Sequence, residues 1–219
     1  MKGIFNSRPP KPRYTVTWDL GCVISYLRSL DENVRLSLKF LTLKLTALLS
    51  ILGHSRVHYL HSLSVTSVDL HDTQCTFFPT TLLKHSRPSF LGAPLVFHDY
   101  PADRSLCIIA TLNEYLRRRC SLTTSEKLLI TYRKPHHPAH RDTIARWLKS
   151  VLRLAGIDTT LFHAHSFRSA ASSKASASSL PLADILRHGQ WRTERTWRTH
   201  YARSLPVEPD NRYAERLLE

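Results

Sequence analysis

The chain has 219 residues, of which 42% are hydrophobic and 22% charged, the balance of an ordinary globular protein with room for one full core. Lys and Arg number 31 against 17 Asp and Glu, so the formal net charge is +14. This surplus favours a polyanionic partner, because neutralising phosphates releases condensed counterions, although charge alone does not exclude a basic protein that adheres to any acidic surface.

The four cysteines lie far apart in sequence without a Cys-x-x-Cys pair, which argues against a zinc ribbon and against a disulfide scaffold. The longest apolar run, 36–52, is interrupted by Ser, Thr and Lys and is too short and too polar to span a bilayer. The first 14 residues are basic but lack the apolar segment of a signal peptide. We therefore expect an intracellular protein that is not secreted and has no membrane partner.

Residues 1–14 contain three prolines among basic residues and are predicted to form an extended arm or linker. Thr17 is the predicted cap of a first helix along TWDLGCVISYLRSL. A second helix is predicted from about Leu36 to Leu52. It is apolar on nearly all sides, which indicates a central position, and it ends at Gly53.

Two or three short strands are predicted next, in the segments SVTSVDL, QCTFFP and PLVFHDY. A turn-rich loop, LLKHSRPSFLGA, lies between the last two of these segments. A helix is predicted over 105–119, with Ser105 as its cap. LLITY, which follows it, has the composition of a short buried strand.

Asp142 opens the clearest amphipathic helix of the chain, which ends at Gly156. Three shorter helices are predicted around 165–178, 181–189 and 194–203. The first contains a Ser/Ala-rich run that favours a tightly packed helix, in which small residues let backbones approach closely; a disordered tract is the alternative. The predicted fold class is mainly α with a small antiparallel β-sheet.

The most informative motif lies in the last predicted helices. His165 and Arg168 form a His-x-x-Arg pair, Trp191 follows Arg168 by 23 residues, and Tyr201 follows Trp191 by 10. Arg offers a planar fork of donors that matches two phosphate oxygens, His and Trp add single donors, and Tyr is a nucleophile able to hold a covalent phosphoryl group. This set predicts DNA strand cleavage and rejoining through a phosphotyrosine.

The segment 162–203 resembles the catalytic C-terminal region of tyrosine recombinases, the phage-integrase family. It is most similar to the recombinases of DIRS-type retrotransposons and related animal elements, which move by DNA recombination in place of a metal-dependent integrase. The likeness covers most of the chain and includes TWDLGCVISYLRSL, GHSRVHYLHSL, LLKHSRP, AHSFRSAASSKA and PLADILRHGQW.

The resemblance implies a catalytic set made of an early Arg, a Lys on a sheet turn, the His-x-x-Arg pair, a His or Trp, and the nucleophilic Tyr. In this sequence these positions fall on Arg56, Lys84, His165, Arg168, Trp191 and Tyr201. His188 competes with Trp191 for the fifth position, and Tyr213 competes with Tyr201 for the last.

The mechanism implied by the resemblance assigns the two arginines to the non-bridging oxygens of the scissile phosphate. Tyr201 would form a 3′-phosphotyrosine, His165 would accept the phenolic proton, and Lys84 would protonate the leaving 5′ oxygen. Neither a cofactor nor a metal is required. The implied partners are double-stranded DNA and further copies of the chain, as a tetramer on two duplexes, with no small-molecule substrate; the implied location is the nucleus, or the nucleoid in a prokaryote.

The resemblance also implies a division of the chain into a linker remnant (1–14), a catalytic domain (15–204) and a C-terminal tail (205–219). The N-terminal core-binding domain that normally completes the DNA clamp is expected to be missing. Three alternatives therefore stay open. The chain could be a domesticated DNA-binding module without catalysis, could relax supercoils like a type IB topoisomerase, or could be an inert pseudogene product.

Three histidines in KPHHPAH, His136, His137 and His140, are also compatible in type with a metal site. Pro135 and Pro138 break the helix that their spacing would need, and no nearby Cys or carboxylate completes a tetrahedral set. A basic loop near DNA is the favoured interpretation.

Overall fold

The computed structural model describes residues 15–82, 86, 88 and 91–206 of the chain. The α-helices of this part are α1 (Leu20–Arg28), α2 (Leu38–Leu52), α3 (Val57–Ser62), α4 (Ile108–Arg119), α5 (Arg141–Leu154), α6 (Ser166–Ala177), α7 (Leu182–His188) and α8 (Glu194–His200). The strands are β1 (Val68–Leu70), β2 (Gln74–Phe77) and β3 (Leu95–His98). A mainly helical fold with a small sheet is thereby confirmed.

Helix α2 is the centre of the fold, as its apolar sequence predicts. Every residue from Leu41 to Ile51 is buried, and α3, α4, α5 and α6 all pack against it. The hydroxyls of Thr42 and Thr46 donate to the carbonyl oxygens four residues earlier, so these buried polar groups are satisfied inside the helix. The helix begins at Leu38 because the side chain of Ser37 accepts the amide of Phe40.

Helix α1 is tied to helix α6, which carries Arg168, by a buried tryptophan. The predicted cap, Thr17, is wrong: the carboxylate of Asp19 accepts the amide of Gly21 and starts the helix at Leu20. The indole nitrogen of Trp18 donates to the hydroxyl of Ser166 at 2.8 Å. The Trp18 ring also lies edge-on to Phe167 with ring centroids 5.2 Å apart.

The three strands form one antiparallel sheet in the order β1-β2-β3. Cys75 pairs with Phe97, and Phe77 pairs with Leu95. All four of these side chains are buried, because alternate residues of β3 and the matching residues of β2 face the core. The sheet thus covers one side of the helical core.

Two expectations about the middle of the chain are wrong. Ser105 lies inside a short 3-10 helix, Arg104–Leu106, and α4 is capped by Cys107. LLITY is buried but is not a strand. Its backbone bonds to Leu63 on one side and to His137 and Ala139 on the other, but these bonds form only isolated bridges, between Lys127 and Ser64 and between Ile130 and Pro138. Pro138 has no amide hydrogen with which to extend the second bridge.

The three short C-terminal helices α6, α7 and α8 are where the sequence predicts them. The Ser/Ala run forms most of α6, and its residues from Ser166 to Ser173 are buried, so the packed helix is confirmed. A second small core lies between α7 and α8, formed by Ile185, Trp191, Trp197 and Tyr201. A parallel bridge between Val16 and Ser204 joins the two ends of the described chain.

Among the described residues, no helix has both the length and the apolar character needed to cross a bilayer. The proposed division at residues 14 and 204 stays a prediction.

Substitution of Ser166 by Ala is expected to lower the free energy of unfolding by about 1–3 kcal/mol. The change leaves the buried Trp18 indole and the carbonyl of His163, both bonded to the Ser166 hydroxyl, without that partner. Urea unfolding followed by circular dichroism measures the effect. Ser150→Ala, which removes an exposed hydroxyl bonded within α5, should change stability by less than about 0.5 kcal/mol; equal losses for both variants would contradict the buried role of Ser166.

Candidate active site

A tight corner after α2 projects Arg56 away from the core. Gly53 ends α2, His54 takes a left-handed conformation with φ of 45°, and Arg56 is the first residue before α3. A Cβ atom at Gly53 would lie 2.8 Å from the Ser55 hydroxyl and 2.9 Å from the Leu49 carbonyl oxygen. The corner therefore requires glycine, and the sequence places it there.

Arg168 lies at the bottom of the site and is only 4% exposed. Its two terminal nitrogens donate to the backbone carbonyls of His54 and Gly189. Its guanidinium carbon lies 4.2 Å from the ring centroid of Trp191 and 5.0 Å from that of Tyr201. Burial, followed by the charge of Arg56, lowers the pKa of Arg168 to about 10, so the group remains a cation at neutral pH.

The turn between α7 and α8 positions the indole of Trp191. A Cβ atom at Gly189 would lie 1.7 Å from the Trp191 ring, so only glycine lets the indole pack there. Gln190 follows with φ of 52°, which reverses the chain and directs Trp191 towards Arg168. The indole nitrogen of Trp191 is buried and has no hydrogen-bond partner in the part of the chain that the structure describes.

Tyr201 follows α8 directly and packs against the other motif residues. The Nη2 group of Arg56 donates to its phenolic oxygen at 3.1 Å. Its ring centroid lies 4.9 Å from that of Trp191 and 5.9 Å from that of His165. Burial by itself raises the pKa of Tyr201, but the hydrogen bond and charge of Arg56 and the charge of Arg168 outweigh it, so the pKa is lowered.

The side chains of Arg56, His165, Trp191 and Tyr201 line a cavity of about 690 Å³, here called the tyrosine cavity; Arg168 is not part of its wall. It is lined by Arg56, His165, Gln190, Trp191, Arg192, Thr196, His200 and Tyr201. None of these lining residues is acidic, and at least two are cationic at neutral pH. The tyrosine cavity is therefore suited to an anion.

A second cavity of about 430 Å³ lies on the other side of Arg56, and both cavities contain Arg56 and Gln190 in their walls. His54 lines it, and both of its ring nitrogens are buried without a hydrogen-bond partner among the described residues. Burial, followed by the charges of Arg168 and His188, lowers the pKa of His54 to about 4. The ring is therefore neutral at pH 7 and adds no charge beneath Trp191, whose ring it meets edge-on at 5.8 Å.

The structure brings together five of the residues that the sequence singles out: Arg56, His165, Arg168, Trp191 and Tyr201. Lys84 lies outside the described residues, as does Tyr213. His188, the competitor of Trp191, lines a different cavity, formed largely by apolar residues of α1, α2 and β3. Trp191 is thus the one of the two that reaches Tyr201.

Sequence reasoning missed His54, Gly189 and Gln190. His54 and Gly189 act mainly through their backbones, as carbonyl acceptors for Arg168, and Gln190 acts through an unusual φ. The glycine before Gln190 is the one signal that could have indicated a tight turn there. Among the described residues, no group of three or more His, Cys, Asp or Glu side chains is placed to hold a metal ion.

Solved structures with a similar fold are site-specific recombinases. XerA recombinase matches with a TM-score of 0.61 and 16% identity, over 98% of this chain and 67% of that chain. XerH site-specific recombinase bound to palindromic difH substrate in a post-cleavage complex matches with a TM-score of 0.59 and 14% identity, over 94% and 52%. A lambda integrase dimer bound to a COC′ core site matches with a TM-score of 0.54 and 12% identity, over 96% and 56%.

These comparisons establish the fold, which is that of the tyrosine recombinase catalytic domain, as the sequence predicts. The chain spans about half of the length of the XerH and lambda integrase chains that it matches. No protein-family model and no curated protein matches the sequence. The special likeness to DIRS-type recombinases stays a prediction.

The phenol of Tyr201 should ionise at a lower pH than an ordinary tyrosine, and Arg56→Gln should raise its pKa. In that variant burial, which raises the pKa, is opposed by Arg168 alone. The measurement is an ultraviolet titration of phenolate absorbance, from which the curve of a Tyr201→Phe variant is subtracted. Arg198→Gln removes an equal charge from the exposed side of α8 and should leave the titration unchanged. An unchanged titration in Arg56→Gln would show that the hydrogen bond has no effect on the phenol.

Proposed function

We propose that this chain cleaves and rejoins DNA strands through a covalent 3′-phosphotyrosine intermediate. The observation that carries the proposal is the hydrogen bond from Arg56 to the phenol of Tyr201, above the buried guanidinium of Arg168. The nucleophile Tyr201 and the cation Arg56 line one cavity, with the buried cation of Arg168 beside the phenol, and this arrangement meets the needs of in-line attack at a phosphodiester. The recombinase fold supports the same chemistry.

Arg56 and Arg168 bind the non-bridging oxygens of the scissile phosphate and stabilise the charge of the pentacoordinate transition state. Arg168 has a donor left for this role, because its Nε group has no partner among the described residues. The unpartnered indole nitrogen of Trp191 supplies a further hydrogen bond. Each of these donors is held in place before the substrate arrives, which is what makes such groups effective.

Tyr201 attacks phosphorus, and its proton passes to His165, whose ring lies beside it. The new bond joins the phenolic oxygen to phosphorus, and the bond from phosphorus to the 5′ oxygen breaks. The 5′ oxygen leaves with the electron pair and takes a proton from Lys84. Rejoining reverses these steps with a 5′ hydroxyl as the nucleophile, so the energy of the phosphodiester is conserved in the phosphotyrosine.

The proposed partner is double-stranded DNA, and the net charge of +14 supports it. The matched XerH and lambda integrase structures are DNA complexes, and the lambda integrase structure contains a dimer of that protein. For this chain we propose assembly as a tetramer on two duplexes and a role in the movement of a mobile element in the nucleus. We propose that a further domain or a partner chain completes the contacts with DNA.

A nicked suicide duplex should become covalently attached to the chain and migrate as a denaturant-resistant protein–DNA species. Tyr201→Phe should abolish the adduct, whereas Tyr213→Phe should retain it. Arg56→Ala and Arg168→Ala should each slow adduct formation by about 100-fold to 1,000-fold, since each removes one fixed donor to the developing charge. Arg198→Ala, an exposed arginine of α8, serves as the matched control. An adduct that survives in Tyr201→Phe would overturn the assignment of the nucleophile.

The role of Lys84 predicts rescue by a better leaving group. A duplex with sulfur in place of the bridging 5′ oxygen releases a thiolate, which needs no proton from an acid. Lys84→Ala should therefore be slow on the ordinary duplex and close to the parent rate on the sulfur-containing duplex. Arg56→Ala should stay slow on both. Equal defects of Lys84→Ala on both duplexes would assign this lysine to another role.

Supercoiled and two-site substrates separate recombination from the alternatives. Joining of strands from two duplexes supports a recombinase, and relaxation of a plasmid without exchange supports topoisomerase-like activity. Salt-sensitive binding of DNA without formation of any covalent adduct would identify the chain as a DNA-binding module without catalytic activity.

A further inference from the structure

A cluster of basic side chains lies beside α3, close to Arg56 in sequence and in space. It consists of His58, His61, Lys127, His140 and Arg141, and is here called the histidine patch. The chemistry of the tyrosine cavity does not use these residues. None of the five is fully buried, and His140 and Arg141 are exposed.

Three segments bring the histidine patch together. Helix α3 carries His58 and His61 and packs on α5, whose first residue is Arg141 and whose cap is His140. Ring centroids of His61 and His140 lie 6.2 Å apart. Lys127 is held against the end of α3 by its bridge with Ser64. The cluster is therefore part of the folded surface, since each of its members is set by a packed element or a backbone pair.

The groups around His61 are nearly all basic. Partial burial, followed by the charges of Lys127, Arg141, His140 and His58, lowers the pKa of His61. The acidic group facing the patch is Asp142, whose carboxylate lies 3.5 Å from the Nδ1 atom of His140 and is largely exposed. His58 has a neutral neighbour as well, the carbonyl oxygen of Leu82 at 3.3 Å. Protonation of His61 thus lacks a compensating anion in its surroundings.

The histidine patch begins beside Arg56. His58 and Arg56 line the same cavity of about 430 Å³, and His61 lies about one turn beyond His58 on α3. Phosphates on one strand of duplex DNA advance by about 3.4 Å along the axis. A strand bound at Arg56 therefore carries further phosphates into the neighbourhood of the patch.

We infer that the histidine patch binds backbone phosphates that flank the cleaved one, and that its histidines take up protons from solvent when they do so. This inference rests on the proposed function, because it takes duplex DNA as the ligand. A phosphate beside His61 and His140 supplies the negative charge that the surroundings of His61 lack and adds to that of Asp142 at His140, and so favours the charged forms of both rings. Binding of DNA becomes coupled to pH through these residues.

The test measures binding of a fluorescent duplex of about 30 base pairs by the full chain carrying Tyr201→Phe, at pH values from about 8 to about 6. Affinity should rise by about 10-fold over this range, and the salt dependence should steepen by about 0.9 for each histidine that gains a proton. His61→Gln with His140→Gln should remove most of the pH response. His61→Lys with His140→Lys carries permanent charge and should bind tightly at both extremes.

His71→Gln is the matched control. His71 lies at the turn between β1 and β2, far along the sheet from α3, and is paired with Asp69 at 2.9 Å. Its substitution should leave the pH response unchanged. Thermal unfolding by circular dichroism verifies that each variant is folded.

Two outcomes would overturn the inference, and they are distinguishable. Binding that strengthens equally at low pH in the parent and in the His61→Gln/His140→Gln variant would assign the effect to other groups, while an adduct on the suicide duplex would still support strand cleavage. Absence of duplex binding at every pH would overturn both the inference and the proposed function.

Discussion

The buried guanidinium of Arg168 is the interaction on which the site depends. Its terminal nitrogens join two segments that are far apart in sequence, the end of α2 at His54 and the turn before α8 at Gly189. Its guanidinium carbon lies 4.2 Å from the ring centroid of Trp191 and 5.0 Å from that of Tyr201, and the two rings adjoin it on the same side, since they are also in contact with each other. Burying a cation costs several kcal/mol unless it is well compensated, and here backbone carbonyls and ring faces provide the compensation. Lysine could not replace it, because its single ammonium group does not offer the planar fork of donors that reaches both carbonyls.

The low-complexity run of α6 makes this burial possible. Ser169, Ala170, Ser172 and Ser173 are buried small residues of α6, which packs against α2. The hydroxyl of Ser173 then donates to the carbonyl of Tyr201 at 3.3 Å and accepts the amide of Arg203 at 3.0 Å. Small residues therefore act twice: they form the buried face of α6, and Ser173 fixes the backbone that carries the phenol. A Ser/Ala composition that suggests disorder in isolation is a requirement of packing in this fold.

The sequence predicts those parts of the site that depend on side-chain type and spacing. Arg168, Trp191 and Tyr201 are recognisable because each contributes a distinctive functional group at a characteristic spacing in the sequence. Positions that act through backbone geometry are not visible in this way, as the left-handed φ values of His54 and Gln190 show. The two incorrect caps have a similar cause, since Thr17 and Ser105 lie near better-placed acceptors at Asp19 and Cys107. LLITY has the composition of a strand, but strand formation needs a partner, which is a tertiary property.

Under the proposed function, the hydrogen bond between Arg56 and Tyr201 has opposite consequences before and after a phosphate enters the tyrosine cavity. In the absence of the phosphate, Arg56 stabilises the phenolate form of Tyr201, and the pKa of Tyr201 is lowered. A phenolate held in this way is a weaker nucleophile, because the charge that would attack is already shared with a donor. A phosphoryl oxygen competes for the same Nη2 donor and, as a charged acceptor, forms the stronger bond. Transfer of that donor from the phenol to the phosphate makes the tyrosine more basic and more reactive at the moment its target is in place. Without DNA, Arg56 would lower the nucleophilicity of the Tyr201 phenol. With DNA bound, the same arginine would stabilise the transition state, so that reactivity depends on the presence of the phosphodiester.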